Sequence, residues 1–251
     1  VLTDIKEKKM ISLDYVHRYN GITISSIDII KDAFIKALIE TGLVTYEYLK
    51  NSHLSIIPSC FFQNNKLILK KIRLSSIDLK TSSAISNMKN ENVYNKVYNE
   101  TFNLNNWKTS LSPIPLCNNG FAKCISITPL LIGYRGRDHD RYSRLNKNEF
   151  VGSENKSQIN DIISYNLTQS LHRDIKIDII PDYEYLKRTD KIIVNQPFKS
   201  RRDGTSTFIS GVKFPFTILG KPEDILSAWY CGLGKKTRYG FGHFDIIGEN
   251  A

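Results

Sequence analysis

The hydrophobic pattern of this chain switches between a two-residue and a 3.6-residue period, and does so twice in nearly the same order. "MISLDYV" (10–16) alternates apolar and polar residues, as a strand does. "SSIDIIKDAFIKALIETG" (25–42) carries Ile27, Ile30, Phe34, Leu38 and Ile39 at helical spacing, with Ser25 or Ser26 as N-cap and Gly42 as the stop. "LSIIPSCFF" (54–62) and "KLILKKIRL" (66–74) read as two strands joined by a turn at "QNN", and 81–102 is helix-permissive. The second half opens on a strand, "FAKCISITPLLIG" (121–133). "SQINDIISYNLTQSLH" (157–172) is an amphipathic helix marked by Ile159, Ile162, Ile163 and Leu167. Strands follow at 190–198 and 207–219, then a short helix at 221–232 with Pro222 in its first turn, then an alternating strand at 241–247. Each half reads β-α-β-β-α-β, a ferredoxin-like order. The expected fold is α+β, with two tandem ferredoxin-like (RRM-like) βαββαβ domains at 1–118 and 119–251.

A length of 251 residues suits one large domain or two small ones, and 41% hydrophobic residues supply a core. No run approaches the roughly 18 apolar residues that span a bilayer, and no secretory leader opens the chain, so no membrane partner is expected. The first residue is Val, which suggests a trimmed chain or part of a longer polypeptide. The net charge of +10 biases partners toward polyanions. The four cysteines (Cys60, Cys117, Cys124 and Cys231) form no C-x-x-C pair and have no His at zinc-ligand spacing. They imply a reducing, cytoplasmic setting with no structural metal and no cofactor.

"CGLGKKTRYGFGHF" (231–244) spends Gly232, Gly234, Gly240 and Gly242, four of 14 glycines, around Lys235, Lys236 and Arg238. Glycines this dense let backbone approach backbone and turn amides outward, and the cations supply counter-charge for a phosphate chain. The alternative is a helix C-cap followed by a solvated basic turn. The segment is neither a Walker loop, since GxxxxGK[ST] is absent, nor a dinucleotide fingerprint, since it follows a helix.

"GLGKKTRYGFG", preceded by "GVKFPFTILGKPEDILSAWY", resembles the glycine-rich loop of the RAMP superfamily, and within it the CRISPR repeat-processing endoribonucleases of the Cas-six family. Thr237 and the "GFG" of 240–242 fit that pattern. "FAKCISITPLLI" resembles the first strand of the family's second domain, and "ISLDYVHRYNGITISSIDIIKDAFIKALIETG" its opening strand, loop and helix. The resemblance implies two ferredoxin-like domains, CRISPR repeat RNA bound on a basic face, and metal-independent cleavage in antiviral defence. There the 2′-oxygen attacks the adjacent phosphate and leaves a 2′,3′-cyclic phosphate and a 5′-hydroxyl. Other CRISPR-associated proteins or a fused domain are further partners it suggests.

Histidine suits proton transfer near neutral pH, and the chain has five. The family's catalytic His lies between the first helix and the next strand, often with Tyr and Lys nearby. In "VTYEYLKNSH" this implies His53 as general acid or base, Lys50 as a stabiliser of transition-state charge, and Tyr46 or Tyr48 as helpers. His17, in "HRYNG" before the first helix, is the runner-up. His172 ends a helix and His243 sits in the last strand; both read as structural, His243 with RNA adjacency as an option. His139 lies in a polar loop. Arg135 and Arg137, in "GYRGRDHDRYSRLNK" (133–147), and Arg201 and Arg202, in "KSRR" (199–202), extend the basic surface. The first of these segments also reads as a solvated insertion. Two rival functions stand beside the enzyme: a non-catalytic RAMP subunit that holds guide RNA in an effector complex, and a generic RRM-type RNA binder. The second is disfavoured by the absence of an RNP-like aromatic strand.

Overall fold

A computed structural model describes residues 10–63, 66–97, 100–115, 117, 119–132, 153–189, 192–199 and 206–247. The chain divides into two compact units, Val1–Pro113 with Pro197–Thr207, and Ile114–Gln196 with Phe208–Ala251. Both are α+β, and the tandem ferredoxin-like fold expected from the pattern holds.

In the first unit β1 (Ile11–His17) and β2 (Ile22–Ile24) lie in turn along the same side of the long β4 (Lys66–Ser76), while β3 (Leu54–Gln63) pairs on its other side. β7 (Trp107–Leu111) pairs with the free side of β1, and every pairing is antiparallel. Helix α1 (Asp28–Glu40) places Ile30, Phe34, Ala37 and Leu38 in the core, fully buried, and Tyr15 of β1 meets Phe34 edge-on at 5.2 Å. On the opposite face of β1 the buried Asp14 is held by Arg73 Nε (3.1 Å) and Lys71 Nζ (2.7 Å). Burial alone would raise its carboxyl, but the Lys71, Arg73 and Ser112 partners hold it below the usual carboxylate range.

The helix expected over 81–102 is shorter. Helix α3 (Leu79–Asn87) begins two residues earlier, because Asp78 caps it, and ends at Asn87. A 3-10 turn at Asn90–Asn92 then leads into a hairpin, β5 (Tyr94–Val97) and β6 (Glu100–Asn103). The β-branched and aromatic residues Val93, Tyr94 and Phe102 favour extended backbone, and Asn95 docks the hairpin on α1 through Ile29 O and Lys36 Nζ.

The second unit has sheet order β13-β8-β12-β9. Its strands are β8 (Phe121–Ser126), β9 (Ile177–Pro181), β12 (Pro215–Gly220) and β13 (Phe244–Ile247), with α4 (Ser153–Leu171) and α6 (Pro222–Cys231) as the two crossovers. The second strand of the motif is therefore β9, which the pattern reading passed over. The segments expected as its middle strands behave differently. β10 (Ile193–Lys199) and β11 (Ser206–Val212) form a two-stranded sheet of their own, with Val212 bridged to Leu130 beyond the end of β8, and 207–219 breaks before Pro215, where β12 begins. β9 lies at the edge of the four-stranded sheet, and that edge is closed by side chains instead of by a strand. Asn160, Ser164 and Thr168, four residues apart on α4, accept the backbone N–H groups of Ile179 (2.9 Å), Ile177 (3.1 Å) and Ile175 (3.0 Å). That capping satisfies an edge which would otherwise offer itself to another chain.

Candidate nucleic-acid and acid–base sites

His53 sits at one end of the first unit's sheet. After α1 the chain makes a second, six-residue helix, α2 (Tyr46–Asn51), started by Thr45 Oγ1, which accepts from Tyr48 N at 3.2 Å. Ser52 and His53 then lead into β3. The register Leu54↔Ser76 puts the residues just before β3 beside those just after β4. Asp78 stands there. Its carboxylate accepts from Thr81 N (2.8 Å), Thr81 Oγ1 (2.6 Å) and the Tyr48 hydroxyl, which lies 2.8 Å from both oxygens. Burial would raise Asp78; the two Thr81 bonds, the Tyr48 bond and the charge of His53 outweigh it and hold the carboxyl below its ordinary range. Reciprocally, burial together with the bond to Asp78 and its charge pushes the Tyr48 phenol up to about 12. Lys80 Nζ lies 4.6 Å from the Tyr48 ring centroid.

Of the residues expected around His53, Lys50 and Tyr46 lie on α2 and are exposed, Lys50 within 3.9 Å of Glu47. Tyr48 is the tyrosine whose hydroxyl joins the corner. Asp78, Thr81 and Lys80 escaped the sequence reading, although Asp78 carries a signal: an Asp three residues before Thr81 at a helix start is an N-cap pattern.

His17 ends β1 elsewhere in the same unit. It is half-buried, edge-on to Trp107 at 5.1 Å, and its Nδ1 accepts from Tyr19 N at 3.3 Å.

In the second unit the glycine-rich segment follows α6. Gly234 and Gly242 have φ of +81° and +72°, and a Cβ on either would run into a carbonyl oxygen, of Leu131 and Leu233 respectively. The backbone is packed on itself and on 128–131, the continuation of β8. Lys235 N donates to Leu131 O (2.9 Å), Gly242 N to Pro129 O (2.8 Å) and Leu233 N to Gly242 O (2.7 Å). Tyr239, Gly240 and Phe241 donate to carbonyls of Lys236 and Thr237. These amides are turned inward, not outward as the glycine spacing led one to expect. The expected 13-residue strand at 121–133 ends at Ser126 for the same reason: beyond it the chain serves this clasp. His243 is buried; its Nε2 donates to Thr237 O (3.1 Å), and its ring would sit 2.8 Å from a Cβ on Gly232. What faces solvent is the side-chain set: Lys236 exposed, Lys235, Thr237 and Arg238 partly so. Arg135, Arg137, Arg201 and Arg202 lie outside the described residues.

A family profile described as "CRISPR associated protein Cas6, C-terminal" matches residues 113–246. No curated protein matches the chain. Solved structures share its fold over nearly their whole length, among them three with TM-scores of 0.57 to 0.61. One is described as "An RAMP protein binding different RNA substrates" (12% identity, 95% of this chain and 99% of that one, TM-score 0.61). A second is from the characterization of a Cas6-related gene from Pyrococcus furiosus (13%, 96% and 100%, TM-score 0.60). A third is described as "CRISPR associated protein Cas6" (15%, 95% and 99%, TM-score 0.57). At such identities the likeness speaks to the fold.

Proposed function

This chain belongs to the CRISPR-associated Cas6 family, and on that footing we propose that it is an endoribonuclease that binds CRISPR repeat RNA and cuts it without a metal ion. The observation that carries the reading is the family match over 113–246, which takes in α6, the glycine-rich segment and the final strand. The reaction forms a bond from the RNA 2′-oxygen to the adjacent phosphorus and breaks the bond from phosphorus to the 5′-oxygen. A proton leaves the 2′-hydroxyl and another reaches the departing 5′-oxygen, so the products are a 2′,3′-cyclic phosphate and a 5′-hydroxyl. His53 is the general acid or base, supported by the register that sets it at the sheet end where Asp78 stands and by the charge interaction between the two. Lys50 offers charge to the phosphorane-like transition state, and Tyr46 lies one turn away on the same helix. His17, at the far end of β1, is second in line. The domain at 1–118 carries the chemistry. The domain at 119–251 presents Lys235, Lys236 and Arg238 to phosphates on the clasp made by Gly232, Gly234, Gly240 and Gly242, with Thr237 among them. Arg135, Arg137, Arg201 and Arg202 add further contacts. The free cysteines suit a reducing cytoplasm.

Incubation with end-labelled repeat RNA in excess EDTA tests this. Cleavage should persist, leave a 2′,3′-cyclic phosphate, and stop when the nucleotide at the cut is 2′-deoxy, although that RNA still binds. Replacing Lys235, Lys236 and Arg238 with Ala should weaken binding and flatten its log–log salt slope by roughly 0.7 per lost contact. Tight binding without cutting would instead give a non-catalytic subunit that holds guide RNA; cutting that needs magnesium would overturn the mechanism.

A further inference from the structure

Asp78 is bonded more heavily than a helix cap requires. One acceptor bond to Thr81 N would start α3. The carboxylate takes that bond, a second from Thr81 Oγ1 and a third from the Tyr48 hydroxyl, while its own N–H donates to Ser76 Oγ at 3.1 Å. Bonds from three directions leave it one orientation and keep it ionised. The β3–β4 register sets this fixed negative charge at the sheet end where His53 precedes Leu54, and the charges of Asp78 and His53 interact. Among the described residues, further charged groups at the corner lie on its two helices. Lys80 on α3 is drawn over the Tyr48 ring, and Glu47 and Lys50 on α2 face each other in solvent.

We infer that Asp78 is the positioning residue of this corner: a fixed carboxylate whose charge favours the protonated imidazole of His53 and so sets the pH range in which that imidazole trades protons. Tyr48 and Thr81 hold the carboxylate in place, and Tyr48 does so from the helix that carries Lys50. The inference rests on the reading of His53 as the general acid or base. Lys50, Tyr48 and Asp78 then form one unit in which the phenol is a strut, since its proton is committed to Asp78 and burial with that bond keeps it from ionising near neutral pH.

The sign of the effect follows from charge. Removing a negative group beside an imidazole disfavours its protonated form, so the pH at which it titrates falls. Asp78→Asn keeps the shape and remains a good N-cap, and Asp78→Ser caps as well with a different shape. The histidine ring resonances are followed by NMR across pH, with His53 assigned from the spectrum of His53→Ala. In both Asp78 variants the His53 midpoint should fall by about half a unit to one unit, the worth of a nearby charge that water partly screens. Tyr48→Phe, which keeps the carboxylate, should move it less. The limb of the cleavage pH–rate profile that belongs to His53 should shift down by the same amount, with RNA affinity held within a few-fold. A midpoint unmoved in both variants, with the protein still folded, overturns the inference and leaves His53 standing. A His53→Ala protein that cuts at the wild-type rate overturns the His53 reading, and the catalytic role of Asp78 with it.

Discussion

The pentapeptide Tyr-Glu-Tyr-Leu-Lys occurs twice, at 46–50 in the first unit and at 183–187 in the second, and folds the same way both times. Each copy makes a six-residue helix, α2 and α5 (Tyr183–Arg188), started by the side chain just before it. Thr45 accepts from Tyr48 N at 3.2 Å and Asp182 from Tyr185 N at 3.0 Å. Leu49 and Leu186 are the buried members, at 4% and 1% exposure, and Glu and Lys pair three residues apart in both. The copies part at the second tyrosine. Tyr48 donates to Asp78 and lies under Lys80, whereas Tyr185 stands 37% exposed. Local sequence therefore decides the helix, its cap and its inward residue. Whether the tyrosine finds a carboxylate partner depends on what a strand and helix thirty residues away set opposite it.

Three sets of substitutions sharpen or break this contrast. The largest effect is expected at the chemistry. His53→Ala should slow cleavage on the order of 10²–10⁴-fold, the worth of a positioned acid or base, while RNA affinity stays within a few-fold. Normal cutting by that variant and loss of cutting in His17→Ala would move the site to the other end of β1.

Next in size is a pair of changes expected to be alike. Leu49→Ala and Leu186→Ala each leave a void under a helix and should each cost about 2–5 kcal/mol, read from denaturant midpoints. A large loss at only one would show that the two helices bear on their units differently despite their shared pentapeptide.

The smallest effect should differ between copies. Tyr48→Phe removes the bond to Asp78 and should cost about 0.5–1.5 kcal/mol, while Tyr185→Phe should fall within about 0.5 kcal/mol of wild type. The Tyr48 loss should also depend on pH. Asp78 is lowered in the folded protein, so its stabilising contribution is present above the ordinary carboxylate range and fades as pH falls below about 4. Equal losses for the two tyrosines would erase the distinction drawn between them.

Much of the fold could be read from residue pattern because burial imposes period. Ile30, Phe34 and Leu38 lie buried on α1 and Ile162, Ile163 and Leu167 on α4, at the helical spacing expected of them. The two apolar runs 54–62 and 66–74 are the paired strands β3 and β4. Where the reading slipped, something other than period was deciding. β9 is a five-residue strand whose edge is satisfied by Asn160, Ser164 and Thr168, and polar helix residues give no hint of a strand elsewhere. Segment 207–219 reads as one apolar run, yet Pro215, which has no N–H to give, begins a new strand in a different sheet.

The sequence by itself determined the α+β class with a ferredoxin-like unit in each half, the basic glycine-rich segment, and a histidine at the mouth of β3. These follow from local propensity and hydrophobic period, which act within a few residues. Only the tertiary structure decided that the glycines clasp the continuation of β8 with their amides turned inward, because Leu131, Pro129 and Leu233 come against them from distant or folded-back chain. It also decided that Asp78, twenty-five positions from His53, is its neighbour. The β3–β4 pairing brings the two together, and its register shifts at an irregularity between Ser59 and Cys60 that residue pattern does not reveal.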